Sequence, residues 1–177
     1  MANKIDVAII VGSESDLPMM NETVKTLKEF GLFYSLNIAS AHRASKYLKQ
    51  CIQEAENSGV KVFIAAAGMA AALPGVIASE TVLPVIGVPV DGRNLSSFDS
   101  LFSIVQMPKG VPVATVALGS AGAVNAALLA VQIIAVANEN LREKLRVYRN
   151  KMSNAVVSED LKLRENGIEK YIERLKK

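Results

Sequence analysis

This 177-residue chain is expected to fold as an α/β domain, a three-layer α/β/α sandwich around a central parallel sheet, with a helical tail behind it. Three observations carry that expectation. Short, continuous, branched apolar runs such as VAIIV (7–11) and VFIAAA (62–67) read as strands buried on both faces. Segments with helical spacing of apolar residues separate those runs, and strict alternation of the two elements is the pattern of a parallel sheet covered by helices. Small or polar sequences then follow strand after strand, at the strand ends where ligands bind in such sheets.

The elements follow in chain order. After VAIIV, Asp16 and Pro18 signal a helix start, and Leu17, Met20, Val24, Leu27 and Phe30 fall on one helical face that Gly31 ends. FYSLNI (33–38) is the second strand. Ser45 is expected to cap a helix that buries Leu48, Cys51, Ile52 and Ala55, closed by Gly59. VFIAAA is the third strand, LPGVIASETV (73–82) a short helix and PVIGVPV (84–90) the fourth strand. FDSLFSIVQ (98–106) reads as helix, VPVATVAL (111–118) as the fifth strand and residues 123–137 as a long helix. That helix is small-residue and apolar nearly all round, which suits a helix with no solvent face. Residues 139–175 read as charged amphipathic helices. Residues 1–150 are expected to form the working domain and 151–177 a helical extension of it.

Composition narrows the function classes. The net charge is +3, but residues 139–177 carry eleven Lys/Arg against seven Asp/Glu, while residues 1–138 carry nine against ten. The basic excess is therefore a mixed-charge helical tail, which reads as a solvated face. No basic patch interleaved with aromatics argues for nucleic acid. One cysteine, Cys51, allows no internal disulfide and no cysteine metal cluster, and points to a reducing, cytoplasmic setting. The N-terminal apolar run leads into a polar loop and reads as a strand, not a signal peptide. The uncharged stretch 111–137 is interrupted by Gly119, Ser120 and Gly122, so it reads as strand, turn and buried helix, not a membrane span.

Four loops gather at the strand carboxyl ends: GSESD (12–16), SAHR (40–43), AGMAAALPG (67–75) and DGRNLSS (91–97). GSESD is a glycine turn entering a helix, where free N–H groups favour an anion and Ser13 and Ser15 add hydroxyl donors. Asp16 would repel phosphate, so it suits a helix cap or ribose hydroxyls; helix capping alone also accounts for this loop. It is neither a P-loop nor a dinucleotide fingerprint. SAHR sets a hydroxyl, the chain's only imidazole and a guanidinium within four residues. Arg43 has the fixed donor fork that suits phosphate, and His42 is placed to shuttle a proton beside it. A lone histidine at a strand end is also a common structural residue; the neighbouring anion loop favours the catalytic reading. In AGMAAALPG, small residues let a ligand approach the backbone, or simply let the loop pack; composition does not decide between them.

These segments, together with LPVIGVPV (83–90), DSLFSIVQMPKGVPVATVA (99–117) and NAALLA (125–130), resemble the PurE family of purine biosynthesis in order and spacing. The resemblance spans about residues 5–150 and implies a flavodoxin-like domain acting on an aminoimidazole ribonucleotide. It implies transfer of CO2 from N5 of the carboxylated substrate to C4, with no metal or organic cofactor, in a homo-octamer with sites near subunit boundaries. By the same resemblance Ser13, Ser15 and Arg43 hold the phosphate, Asp16 the ribose, and Ser40 positions the base. His42 is the general acid and base. Backbone at Ala67, Gly68, Met69, Ala70 and Leu73 encloses the CO2.

One departure bears on the reaction. The mutase pattern is AGGAAHLPG, and this chain has Met69 for a glycine and Ala72 for a histidine. The family's direct carboxylases also lack that histidine, yet carry SAHK and an RSN run that this chain does not. The mutase reading is favoured, with direct use of CO2 as the alternative. A non-catalytic nucleotide-binding paralogue has only Ala72 in its support. A flavin protein fits the strand order but not the scarce aromatics or the absence of a Thr-rich phosphate loop.

Overall fold

The computed structural model describes residues 5–91 and 97–175. It divides into two compact units, Met1–Ile134 and Ala135–Lys177.

The first unit is built on five parallel strands: β1 (Val7–Val11), β2 (Tyr34–Ile38), β3 (Val62–Ala67), β4 (Val85–Pro89) and β5 (Ala114–Thr115), in the order β2-β1-β3-β4-β5. The helices are α1 (Leu17–Phe30), α2 (Ser45–Asn57), α3 (Leu73–Glu80), α4 (Phe98–Val105) and α5 (Gly119–Ala135). This is the expected flavodoxin-like α/β fold. β1, β3 and β4 are buried along their whole length, as their continuous apolar runs require.

Alternation of side chains across the sheet splits the core in two. Ala8, Ile10, Phe63 and Ala65 pack in one cluster with Leu48, Cys51, Ile52 and Ala55 of α2, Leu73 and Ile77 of α3, and Ile104 of α4. Val7, Ile9, Val11, Val62, Ile64 and Ala66 alternate with these residues and are also buried. α1 and α5 meet each other directly: buried Thr23 donates from Oγ1 to the Ala123 carbonyl at 2.7 Å. α1 ends where Gly31 takes the left-handed conformation, φ 75°, and its N–H returns to the Leu27 and Lys28 carbonyls.

Several boundaries differ from the sequence reading, each for a local reason. β5 is only two residues long, not eight; Pro112 removes a ladder donor just before it. β2, at the opposite edge, leaves Leu36 and Ile38 exposed. Ser45 is the first residue of α2, whose N-cap is Ala44 and carries no side-chain cap bond. α5 begins at Gly119 and ends at Ala135, not 123–137. Its first turn packs so tightly that a Cβ on Gly122 would collide with the Ala117 carbonyl. Within this chain α5 does have an accessible side: Asn125 is exposed, and Val124, Leu128, Leu129 and Ile133 are half-buried.

The second unit is α6 (Glu139–Leu175), broken at Gly167, where φ 74° and ψ 160° are not helical. Its apolar residues Val147, Met152, Val156, Val157 and Leu161 are exposed, as are Ile168, Ile172 and Leu175 past the break.

Candidate active site

The order β2-β1-β3 places the point where the strand order reverses beside β1, so the loops after β1, β2 and β3 lie next to one another at the carboxyl edge. Backbone bonds hold them in register there. Gly12 N–H donates to the Ala66 carbonyl at 3.2 Å, Ala39 N–H to Val11 at 2.9 Å, and Val90 N–H to Ala67 at 3.0 Å.

The loop after β1 is a short 3-10 turn, Glu14–Asp16, closed by a capping box. Ser13 Oγ accepts from Ser15 N–H at 3.4 Å and from Ser15 Oγ at 2.9 Å. Asp16 Oδ2 accepts the Ser13 N–H at 3.2 Å, and Ser15 Oγ reaches Asp16 Oδ1 at 3.3 Å. The single Ser15 proton serves one of its two acceptors at a time. Asp16 is only 6% exposed. Burial raises its pKa above the ordinary 3.8, opposed by the Ser13 N–H and the Ser15 hydroxyl. Asp16 thus caps the turn and not α1, at whose N-cap its side chain makes no bond.

The loop after β2 is organised by Arg43. Its N–H and Nε both donate to Ser40 Oγ, at 3.3 and 3.4 Å, and Nη2 donates to the Gly12 carbonyl at 3.2 Å. The guanidinium therefore ties the β2 loop to the serine-rich turn after β1. Among the described residues Nη1 has no partner, so part of the donor fork stays available to an anion. Ser40, assigned to the base from the resemblance, accepts both of these Arg43 bonds. His42 is exposed, and its ring makes no hydrogen bond among the described residues. Both ring nitrogens are open to a ligand.

The loop after β3 is bent by Met69, a non-glycine residue at φ 57°. Ala71 N–H donates to Met69 O at 2.9 Å and Ala72 N–H to Ala70 O at 2.7 Å. Ala67, Ala71 and Leu73 are buried, while Met69 and Ala70 face solvent. The N–H groups of Gly68, Met69 and Ala70 make no hydrogen bond among the described residues, so they are the donors this loop has to offer.

Residues 92–96 of the fourth loop lie outside the described residues. At its ends the structure shows a contact that the sequence reading did not select: Ser97 Oγ donates to Asp91 Oδ1 at 3.2 Å. The Gly12 carbonyl, as anchor for Arg43, was missed as well; a backbone acceptor leaves no trace in residue type. Among the described residues no three His, Cys, Asp or Glu side chains gather as a metal donor set.

The fold is the flavodoxin-like one that the resemblance to the PurE family implies, and the loops that carry the resemblance lie side by side at one sheet edge. Residues 6–155 match the family described as AIR carboxylase, and the chain belongs to that family. It is 50% identical over 166 residues to the N5-carboxyaminoimidazole ribonucleotide mutase of Pyrococcus horikoshii, covering 94% of this chain and 93% of that one. It is 46% identical over 167 residues to the phosphoribosylaminoimidazole carboxylase of Candida glabrata, covering 94% of this chain and 29% of that longer one. The crystal structure of PurE from Treponema denticola superposes with a TM-score of 0.82 at 27% identity, covering 89% of this chain and 97% of that one.

Proposed function

We infer that this chain is a purine-biosynthetic isomerase that converts N5-carboxyaminoimidazole ribonucleotide to 4-carboxy-5-aminoimidazole ribonucleotide. The observation that carries the reading is its end-to-end likeness, at half identity, to a mutase of that name. The site geometry supports it. An imidazole with both nitrogens open stands next to a guanidinium already anchored on the serine-rich turn.

The chemistry follows from those groups, in a catalytic domain taken as residues 1–150. Ser13, Ser15 and Arg43 hold the phosphate, Asp16 the ribose and Ser40 the base. The carbamate C–N bond breaks with its electron pair left on N5, which takes a proton from the His42 imidazolium. CO2 stays between the substrate and the loop of Ala67, Gly68, Met69, Ala70 and Leu73. C4 then attacks it, a C–C bond forms, and the C4 proton goes to the neutral imidazole. One proton leaves His42 and one returns, so the cycle balances with neither metal nor organic cofactor. Sharing one base between the two half-reactions is sound because the two proton transfers are sequential.

The direct carboxylase is the second reading, favoured by Ala72 at the N-cap of α3 and by the likeness to the Candida glabrata carboxylase. Unlabelled N5-carboxylated substrate turned over in labelled bicarbonate separates the two. A mutase yields unlabelled product, and label in the product would replace this reading with the direct one.

A homo-octamer is part of the same reading. The half-buried apolar row on α5 supports it, since Val124, Leu128, Leu129 and Ile133 suit a neighbouring subunit. A cytoplasmic setting is supported by the one cysteine, Cys51, which is free and buried. No partner in nucleic acid or membrane is proposed, and no helix among the described residues is long and apolar enough to cross a membrane.

A further inference from the structure

We propose that the Met69 side chain is the cover that retains CO2 between its departure from N5 and its capture at C4, an inference that rests on the mutase reading above. The starting point is a conformational outlier. Met69 sits at φ 57°, and Ser97 is the only other non-glycine residue with positive φ among the described residues. Glycine takes that region freely and asparagine tolerates it; a long side chain is strained there.

The same residue carries a second unfavourable feature. Met69 is 70% exposed, while Ala67, Ala71 and Leu73 around it are buried. Strain and apolar exposure thus fall together on one residue, at the carboxyl edge of the sheet. The bend needs the positive φ, which glycine would supply without strain, but it does not need a long apolar side chain: the bonds Ala71 N–H to Met69 O and Ala72 N–H to Ala70 O are backbone bonds. Side chains held in strained backbone conformations are concentrated at ligand clamps and active sites.

The chemistry says what such a residue is for. Once the carbamate C–N bond breaks, CO2 is neutral and apolar, and Arg43 and His42 have no charge on it to hold. Retention then depends on enclosure and exclusion of water. Residues 67–72 are AGMAAA, so Met69 is the only side chain longer than a methyl group in the loop. A thioether chain is flexible enough to fold over a ligand of irregular shape. With substrate bound it loses its exposure to water, which offsets the strain held in the free loop.

The test uses the full chain with unlabelled N5-carboxylated substrate and labelled bicarbonate, scored against an enzyme-free control. Two quantities are read: label in the carboxylated product, and aminoimidazole ribonucleotide released per product formed. Met69→Gly accepts φ 57° without strain and removes the cover. Met69→Asn tolerates the same backbone but is polar. Both are expected to release about ten times more aminoimidazole ribonucleotide per product than wild type, and to admit label, because escape of an intermediate is what closure prevents. Met69→Leu keeps apolar bulk and is expected to leak less than about half as much as Met69→Gly. Thermal unfolding of each variant establishes that it is folded. Folded glycine and asparagine variants with the wild-type release ratio and no label overturn this inference alone. Label entering the product with wild type overturns the mutase reading, and the inference with it.

Discussion

His42 and Arg43 are neighbours in sequence with opposite constraints. Arg43 is fixed by Ser40 and the Gly12 carbonyl, and His42 is held by nothing among the described residues. These constraints suit the proposed roles: a proton carrier has to reach and leave two atoms in turn, whereas a phosphate anchor has to stay still. His42→Asn is accordingly expected to lower kcat by roughly 10²–10⁴-fold while ligand affinity by calorimetry stays close to wild type. Arg43→Ala should chiefly raise KM, because a phosphate contact persists in ground and transition states alike; a pure kcat loss would contradict that role. Asp16 gives a pH prediction. Its pKa is raised above 3.8 by burial, so the folded chain holds its proton more tightly than the unfolded chain does. Its contribution to stability is full below 3.8 and is lost as pH rises through the higher folded value. Urea unfolding of wild type and Asp16→Asn should therefore show the difference moving toward wild type as pH falls from neutral toward 4, and level below the usual carboxylate range. A difference that is flat with pH would show that Asp16 is not penalised by burial.

β4 shows how an element is shaped by what crosses it. Gly87 is buried mid-strand, and a Cβ there would stand 2.5 Å from Ile104 Cγ2 of α4 and 2.9 Å from Val113 Cγ1. Ile104 is fully buried and Val113 is half-buried against the same cluster, and both are branched, with little room to give. Gly87→Ala should cost about 1–3 kcal/mol by overpacking, read as a lowered urea midpoint with unchanged slope. α6 shows the opposite case, a surface element ordered by polar contacts. Glu159 accepts from Lys162, Tyr171 and Arg174, which hold its carboxyl down at about 2 and bridge the break at Gly167. A lowered pKa means these contacts are intact above the ordinary 4.5 and are lost as pH falls toward 2. The Tyr171 ring resonances should shift over that range, and Glu159→Gln should speed amide exchange in residues 168–175 at neutral pH. High salt should mute both, since the group is exposed and screened.

For the molecule as a whole, the family match ends at residue 155, and the apolar residues on α6 beyond it are solvent-exposed in the single chain. The α5 row and the β2 edge, with Leu36 and Ile38, are also accessible. A chain with this much accessible apolar surface is expected to be an assembly. Light scattering at micromolar concentration should give a mass near eight times the 18.9 kDa chain, and a monomer would refute the octamer.

The order and type of elements could be read from the residues because they rest on local periodicity. VAIIV and VFIAAA are apolar without a break, and Leu17 to Phe30 repeat at helical spacing, whatever the rest of the chain does. The loops of the candidate site could be picked out as well. Residues as unusual as GSESD and SAHR follow directly on strands, and their resemblance to one family joined loops that spacing alone leaves separate. Other properties depend on partners far along the chain. The strand order places β3 beside β1, and Arg43 reaches the carbonyl of Gly12, 31 residues earlier. β5 shrinks to Ala114–Thr115 because only those residues find β4. Asp16 becomes a buried carboxylate, and Met69 an exposed side chain at φ 57°, only once β1 and β3 have set the loops side by side. Periodicity is a property of neighbours in sequence. Pairing, burial and strain depend on which distant segments arrive, and folding decides that.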